Sequence, residues 1–568
     1  MATYEGTSGS DVIAGSADRD EINGYQGNDQ LFGLDGDDEL FGHDGNDRLV
    51  GGAGRDFLNG GLRGDDVMEG GADDDRYSVE TAGDVIIELA GEGTDTVDAY
   101  CDFTLPDHVE KLSLRGDSTR GTGNSSANLI SSFAADPERD HLLEGMAGDD
   151  RLFGSSEGFD HLLGGEGDDI LTSKGIDLLE GGVGNDTLVI GGLYGAELFG
   201  GEGNDILFAG RHGGLHGGAG DDIYEFDSND SSRVVEHAGE GRDVVNASRN
   251  YALGANLEDL VLAGDGRRGV GNALDNVITG SGGFDGLVGM EGNDTIRGGL
   301  GNDVISGGGD SDLLEGEDGD DQMTGGAGFD RLRGGAGMDQ LSGGSGEDEL
   351  HGGADADDLE GNSQDDLLAG DEGDDRLAGG GGTDRLEGGD GDDLLDGGDG
   401  RDSLHGGEGF DIASFASQFN GVRVRLEPAG AGIDDLISIE GVIGTRSADS
   451  LRGDANDNML NGGEGDDSLT GGGGNDLIIG GDGRDSANYN FSVGGVTVRL
   501  DTEDAQSTGG AGTDRLVGIE DLIGSTSGDD LTGHGGANRI DGRGGDDSLS
   551  GLQGDDELIG QGGHDRLS

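Results

Sequence analysis

One aliphatic side chain recurs at every ninth residue along most of this chain, and the positions between are dominated by glycine, aspartate and other polar types. From Gly271 to Ser414 the frame runs through sixteen nonamers without a slip, as in GGAGFDRLR (325 to 333), GGAGMDQLS (334 to 342) and GGDGDDLLD (388 to 396). The eighth place is Ile, Leu or Met in every copy but the last, where it is Ala413, and the sixth is Asn276 once and Asp thereafter. Two positions locked to one period mark a repeat architecture, whose units bury their apolar faces only against one another. The last three residues of each unit read as a minimal strand with one side chain inward and its neighbours outward. Two nonamers then make one coil of about eighteen residues. Coils stacked at about 4.8 Å build two parallel sheets, so sixteen nonamers span roughly 40 Å. The predicted fold is all-β, a parallel β-roll with almost no helix, because no segment sustains a 3.6-residue period.

Gly6 to Asn59 keeps the same frame, as do Gly444 to Asn488 and Gly524 to Ser568. Gly145 to Glu225 follows it loosely, with units such as SKGIDLLE (173 to 180) and GSSEGFDHLL (154 to 163), and fewer or poorer metal sites are expected there. Four inserts interrupt the arrays in two related pairs. The first pair shares AGEGTDTV (90 to 97) with AGEGRDVV (238 to 245), and GTGN (121 to 124) with GVGN (269 to 272). The second shares GVRVRLE (421 to 427) with GVTVRLD (495 to 501), and LISIEGVIG (436 to 444) with LVGIEDLIG (516 to 524). Their alternation of apolar and polar residues, rich in Val and Ile, reads as short strands that continue the stack without binding much metal. The expected organisation is a roll block at 1–78, an insert at 79–144, an irregular block at 145–226 and an insert at 227–270. A long regular block at 271–414 follows, then an insert at 415–443, a block at 444–488, an insert at 489–523 and a block at 524–568.

Composition sharpens this picture. With 129 glycines, 31% hydrophobic residues, no Trp and a formal net charge of −89, one buried aliphatic per nine ordered residues falls well short of the ordering entropy. A further stabiliser is required. Cys101 is the single cysteine, so disulfides are not that stabiliser. The acidic excess argues against nucleic acid and anionic membranes as partners and favours cations. No apolar run is long enough for a membrane span. The N-terminal MATYEGTSGSD has no basic n-region or apolar h-region, so no cleaved Sec-type signal peptide is expected.

The nonamer supplies the chemistry. Glycines at the first, second and fourth places permit positive φ and a tight turn that aims carbonyl oxygens inward. The sixth-place Asp adds a carboxylate at the turn's exit, so stacked turns form a cage of oxygens. Hard-oxygen cages suit calcium, whereas zinc would want Cys and His. Packed carboxylates repel one another until a divalent ion binds, which couples metal binding to folding.

The consensus GGxGxDxUx resembles that of the RTX, or hemolysin-type, proteins. The resemblance covers most of the chain. It implies a β-roll with calcium between successive turns and the sixth-place Asp as a ligand. Carried over position by position, the implied ligands in the first block are Asp11, Asp20, Asp29, Asp38, Asp47, Asp56 and Asp75. In the irregular block they are Asp150, Asp169, Asp186, Asp205 and Asp222. The long block supplies Asp285, Asp294, Asp303, Asp312, Asp321, Asp330, Asp339, Asp348, Asp357, Asp366, Asp375, Asp384, Asp393, Asp402 and Asp411. The last two blocks supply Asp449, Asp467, Asp476, Asp485, Asp529, Asp547, Asp556 and Asp565. Asn276, Asn458 and Asn538 hold the sixth place without a carboxylate and make weaker candidates. Export by a type I ABC system and folding outside the cell, where calcium is plentiful, are also implied.

Other motifs carry less. GSSEG at 154 to 158 matches the G-x-S-x-G esterase pattern, but glycine spacing in the repeat frame produces it, and Ser156 is not expected to be a nucleophile. No HExxH occurs. Most histidines, and acids such as Glu315 and Glu387, are expected on solvated faces; Cys101, in the apparent strand AYCDF, reads as a small packed residue. The leading expectation is a non-enzymatic, extracellular calcium-binding scaffold. The alternatives are an accessory region of a secreted RTX enzyme of lipase, protease or mannuronan epimerase type, or an adhesin bridging polysaccharide or a cell surface through calcium.

Overall fold

The computed structural model describes residues 1–134, 139–156, 158–191, 195–229, 231–426 and 434–568. Glu157 of the GSSEG string and Glu427, which ends GVRVRLE, lie outside them. The described residues form short strands joined by turns, with no helix and hence none long and apolar enough to cross a membrane. They divide into two compact units, Met1–Ala263 and Gly264–Ser568.

In the first unit the expected two-nonamer coil is present. Ile22, Leu40 and Leu58 stack in parallel register on one sheet, while Ile13, Leu31, Leu49 and Met68 stack on another. Apart from half-buried Ile13, all are fully buried. The second unit repeats this over its long block, with Ile296, Leu314, Leu332, Leu350, Leu368, Leu386 and Leu404 on one sheet. Leu287, Ile305, Met323, Leu341, Leu359, Leu377 and Leu395 form the opposite ladder. The core is therefore one aliphatic column per sheet, built from the eighth places.

The three glycines of the nonamer serve two different purposes. At the second and fourth places the backbone is left-handed, as at Gly335 (φ 122°) and Gly337 (φ 123°), and even Leu34 and Glu317 adopt positive φ at the second place. The first place does not. There the requirement is space: a Cβ on Gly334 would lie 2.1 Å from Asp339 Oδ2 and 2.6 Å from the carbonyl oxygen of Gly352, one coil on. This amends the expectation that all three glycines are present for their φ angles.

The irregular block keeps its stack by compensation. Sixth-place Asp150, Asp169, Asp186, Asp205 and Asp222 are separated by 19, 17, 19 and 17 residues, so long and short coils alternate. The first pair of inserts continues the same ladders, with Val97 between Tyr77 and Leu112, and Val245 between Tyr224 and Leu260. In the second pair, the GVRV and GVTV runs open new ladders, Val424 on Leu451 and Val498 on Leu531. Among the described residues one antiparallel pair occurs, Gln506–Gly509 with Gly512–Val517. Cys101 lies in a bend between strands, half-buried, and burial pushes its thiol up.

Candidate metal centre

Within the arrays most sixth-place carboxylates divide their two oxygens between different tasks. Oδ1 accepts the backbone N–H of the sixth-place residue one coil earlier: Asp20 N to Asp38 Oδ1 is 2.7 Å, and Asp339 N to Asp357 Oδ1 is 2.8 Å. This cross-coil bond fixes the side chain's rotamer and runs as a ladder along the turns. It ends on a glutamate in each insert, where Asp95, Asp243, Asp411 and Asp485 donate to Oε2 of Glu110, Glu258, Glu440 and Glu520 at 2.8 to 3.0 Å.

Oδ2 is left over. In Asp29, Asp38, Asp47, Asp56, Asp75, Asp150, Asp169, Asp186, Asp205 and Asp222 it is buried with no hydrogen-bond partner. The same holds from Asp294 through Asp411 at every sixth place of the long block, and at Asp467, Asp476, Asp485 and Asp547. A buried anionic oxygen without a donor is costly. Burial pushes the carboxyls of Asp303, Asp312, Asp339, Asp357 and Asp366 up to about 7 against the N–H that each accepts, and neighbouring carboxylates push the same way. In many of these turns Oδ2 converges with a first-place carbonyl from the next coil, as with Asp339 Oδ2 and Gly352 O beside Gly334. Orphaned carboxylate oxygens beside inward carbonyls are the donor set of a hard divalent cation, and a bound cation supplies the charge they lack.

The remaining predicted positions differ in particular ways. At Asp11, Asp20, Asp285, Asp449 and Asp529, a second-place Ser or Thr meets the carboxylate; Ser281 N and Oγ each reach Asp285 Oδ2 at 2.7 Å. These residues lie at or near the start of arrays, and there the second-place N–H gives Oδ2 the donor it lacks elsewhere. Asn276, Asn458 and Asn538 likewise accept a second-place N–H at 2.7 to 2.9 Å. Asp556 and Asp565 are half-buried.

The structure also adds residues. Asp66 and Asp434 accept the cross-coil N–H from Asp47 and Asp402 and keep a buried, partnerless Oδ2. Asp160 and Asp177 form a second row in the irregular block, which ends as Ala196 takes the next position. That block therefore retains one full carboxylate row and loses the other. His141 begins the lost row, buried and 2.8 Å through Nδ1 from Asp160 Oδ1, in contrast to the solvated position expected for most histidines. Glu315 is held by Arg297 at 2.8 Å, a partly exposed pair worth little.

A direct test separates the two carboxylate oxygens. Asp339→Asn preserves the acceptor for Asp321 N–H and removes the charge. Asp339→Ala also strips that buried donor, and should cost about 1–3 kcal/mol more in denaturant unfolding with calcium present.

Parallel coils with rows of orphaned oxygens on their turns define a cation-binding β-solenoid. The model of the RTX calcium-binding nonapeptide repeat matches residues 5–86, 144–192, 197–211, 270–413, 442–487 and 523–567 in overlapping copies, well over half of the chain. The chain belongs to this family, and its ion is calcium. It is also 44% identical over 62 residues to the endo-1,3-1,4-beta-glycanase ExsH of Rhizobium meliloti (strain 1021). That match covers 11% of this chain and 13% of the glycanase, so the chain spans only a small part of that relative.

Proposed function

We propose that this chain is a secreted, non-enzymatic calcium-binding protein whose roll folds when calcium fills the turn rows and then serves as a structural or surface scaffold. The observation that carries this reading is the column of buried, partnerless Oδ2 atoms repeated coil after coil. The ligands are the sixth-place aspartates with a free Oδ2, each joined by carbonyls of the stacked turns. Millimolar extracellular calcium matches the weak sites typical of extracellular modules, and RTX proteins are typically secreted by bacteria, which supports export by a type I system. Size-exclusion chromatography of the full chain should show a large contraction on passing from chelator to millimolar calcium. An unchanged elution volume would overturn the coupling of folding to calcium.

The match to the glycanase favours a second reading, in which this chain is the repeat region accompanying a secreted enzyme. Sequencing the gene beyond both ends distinguishes the two, since an in-frame catalytic domain would establish the second. A calcium-dependent adhesin would instead be retained on acidic polysaccharide with calcium and released by chelator.

A further inference from the structure

The first pair of inserts carries a feature that the nonamer consensus does not contain. Asp75, Glu88 and Asp95 in one insert region, and Asp222, Glu236 and Asp243 in the other, each bring three buried carboxylates together with one oxygen apiece within 4.8 Å of the others. Calcium takes oxygen ligands at about 2.3–2.6 Å, so three oxygens this close together come within reach of one calcium-sized ion with a small closure of the side chains.

The glutamate reaches this position because it replaces a glycine. Ile87 pairs with Glu69, so Glu88 stacks next on Gly70, a first-place glycine, and Glu236 stacks on Gly217 in the same way. The eighth place, usually aliphatic, is Tyr77 or Tyr224, each fully buried. Tyr77 Oη donates to Glu88 Oε1 and accepts Gly70 N–H at 2.7 Å. Tyr224 Oη donates to Glu236 Oε1 and accepts Gly217 N–H at 2.8 Å. The tyrosine thereby fixes the glutamate through one oxygen and leaves the other, Oε2, buried with no partner. Glu88 is 6% and Glu236 8% exposed, and Asp75 Oδ2 and Asp222 Oδ2 are also partnerless. The complete arrangement of Gly, Asp, Tyr, Glu and Asp occurs twice.

We propose that each of these inserts holds a dedicated calcium site, formed by Asp75, Glu88 and Asp95 in one and Asp222, Glu236 and Asp243 in the other, with Tyr77 and Tyr224 as positioning residues. This goes beyond the turn rows, although it shares Asp75 and Asp222 with them. Three carboxylates on one ion give a higher ligand charge than a turn site, so these two sites fill at lower free calcium.

Terbium replaces calcium at oxygen sites and emits when a nearby tyrosine is excited, so the full chain, folded in calcium, can be titrated with terbium under tyrosine excitation. Strong sensitised emission is expected from the first terbium bound. Tyr77→Phe with Tyr224→Phe should remove most of it. Glu88→Gln with Glu236→Gln should demand about tenfold more terbium, while Glu387→Gln, at a strand position paired with Arg385 outside the turn rows, should change neither. Absent emission from the folded protein, or emission unaffected by the tyrosine pair, would overturn the proposal. If the glutamine pair fails to fold by circular dichroism, the tyrosine pair decides alone. Failure of the broader reading is seen separately, as folding that ignores calcium.

Discussion

Gly334→Ala is expected to break the roll at its own coil, although alanine is among the smallest changes a protein can carry. The new Cβ would meet Asp339 Oδ2 at 2.1 Å and Gly352 O at 2.6 Å, distances that no side-chain rotation relieves because Asp339 is tethered to Asp321 N–H. Relief requires either displacing the carboxylate from its row or separating two coils, and either loses cross-coil hydrogen bonds as well as the cation's donors. The expected loss is at least that of an overpacked core, about 1–3 kcal/mol, with the calcium midpoint of folding moved upward. By contrast, Glu317→Gly at a second place already in positive φ should be neutral or stabilising, since it relieves a left-handed non-glycine residue. Equal effects of the two substitutions would refute the distinction between space and φ.

Acid is expected to replace calcium in part. Burial and neighbouring charge raise Asp56, Asp150, Asp303 and Asp339 from 3.8 to about 7 in the folded, metal-free roll. Between about pH 4 and 7 the folded chain therefore holds protons that the unfolded chain has released. By linkage its stability falls as pH rises across that window. Chelated protein should gain β-structure as pH drops from 8 towards 5, the opposite of ordinary acid denaturation. Calcium must displace those same protons, so its apparent affinity should fall by about tenfold per pH unit for each proton released. Calcium titrations at pH 5, 6, 7 and 8 with circular dichroism read both effects, and a pH-independent midpoint would contradict them.

The period carried much of the architecture into the sequence. Leu332, Leu350 and Leu368 occupy eighth places and form the buried column, and Asp339 and Asp357 occupy sixth places and form the row. What was hidden had two physical causes. Coils of unequal length preserve the stack while breaking the nonamer frame, which concealed Asp66, Asp160 and Asp177. Elsewhere a carboxylate reaches the row from a position that the consensus gives to glycine, as Glu88 does, or from an insert, as Glu110 and Glu440 do. Such contributions depend on which residues stack, and stacking is legible only where the period is regular. The hydroxyl caps have a plain signal in retrospect: Ser281, Thr445 and Ser525 replace glycine or another residue at second places near array starts.

One aliphatic side chain per nonamer leaves the roll dependent on another stabiliser, and calcium is the proposed one. The most direct measurement is far-UV circular dichroism of the chelated full chain as calcium is returned, with magnesium as the control. A cooperative change from coil to β-structure with calcium, and little with magnesium, is the expected result. A spectrum already rich in β-structure in chelator at neutral pH, and indifferent to calcium, would contradict it.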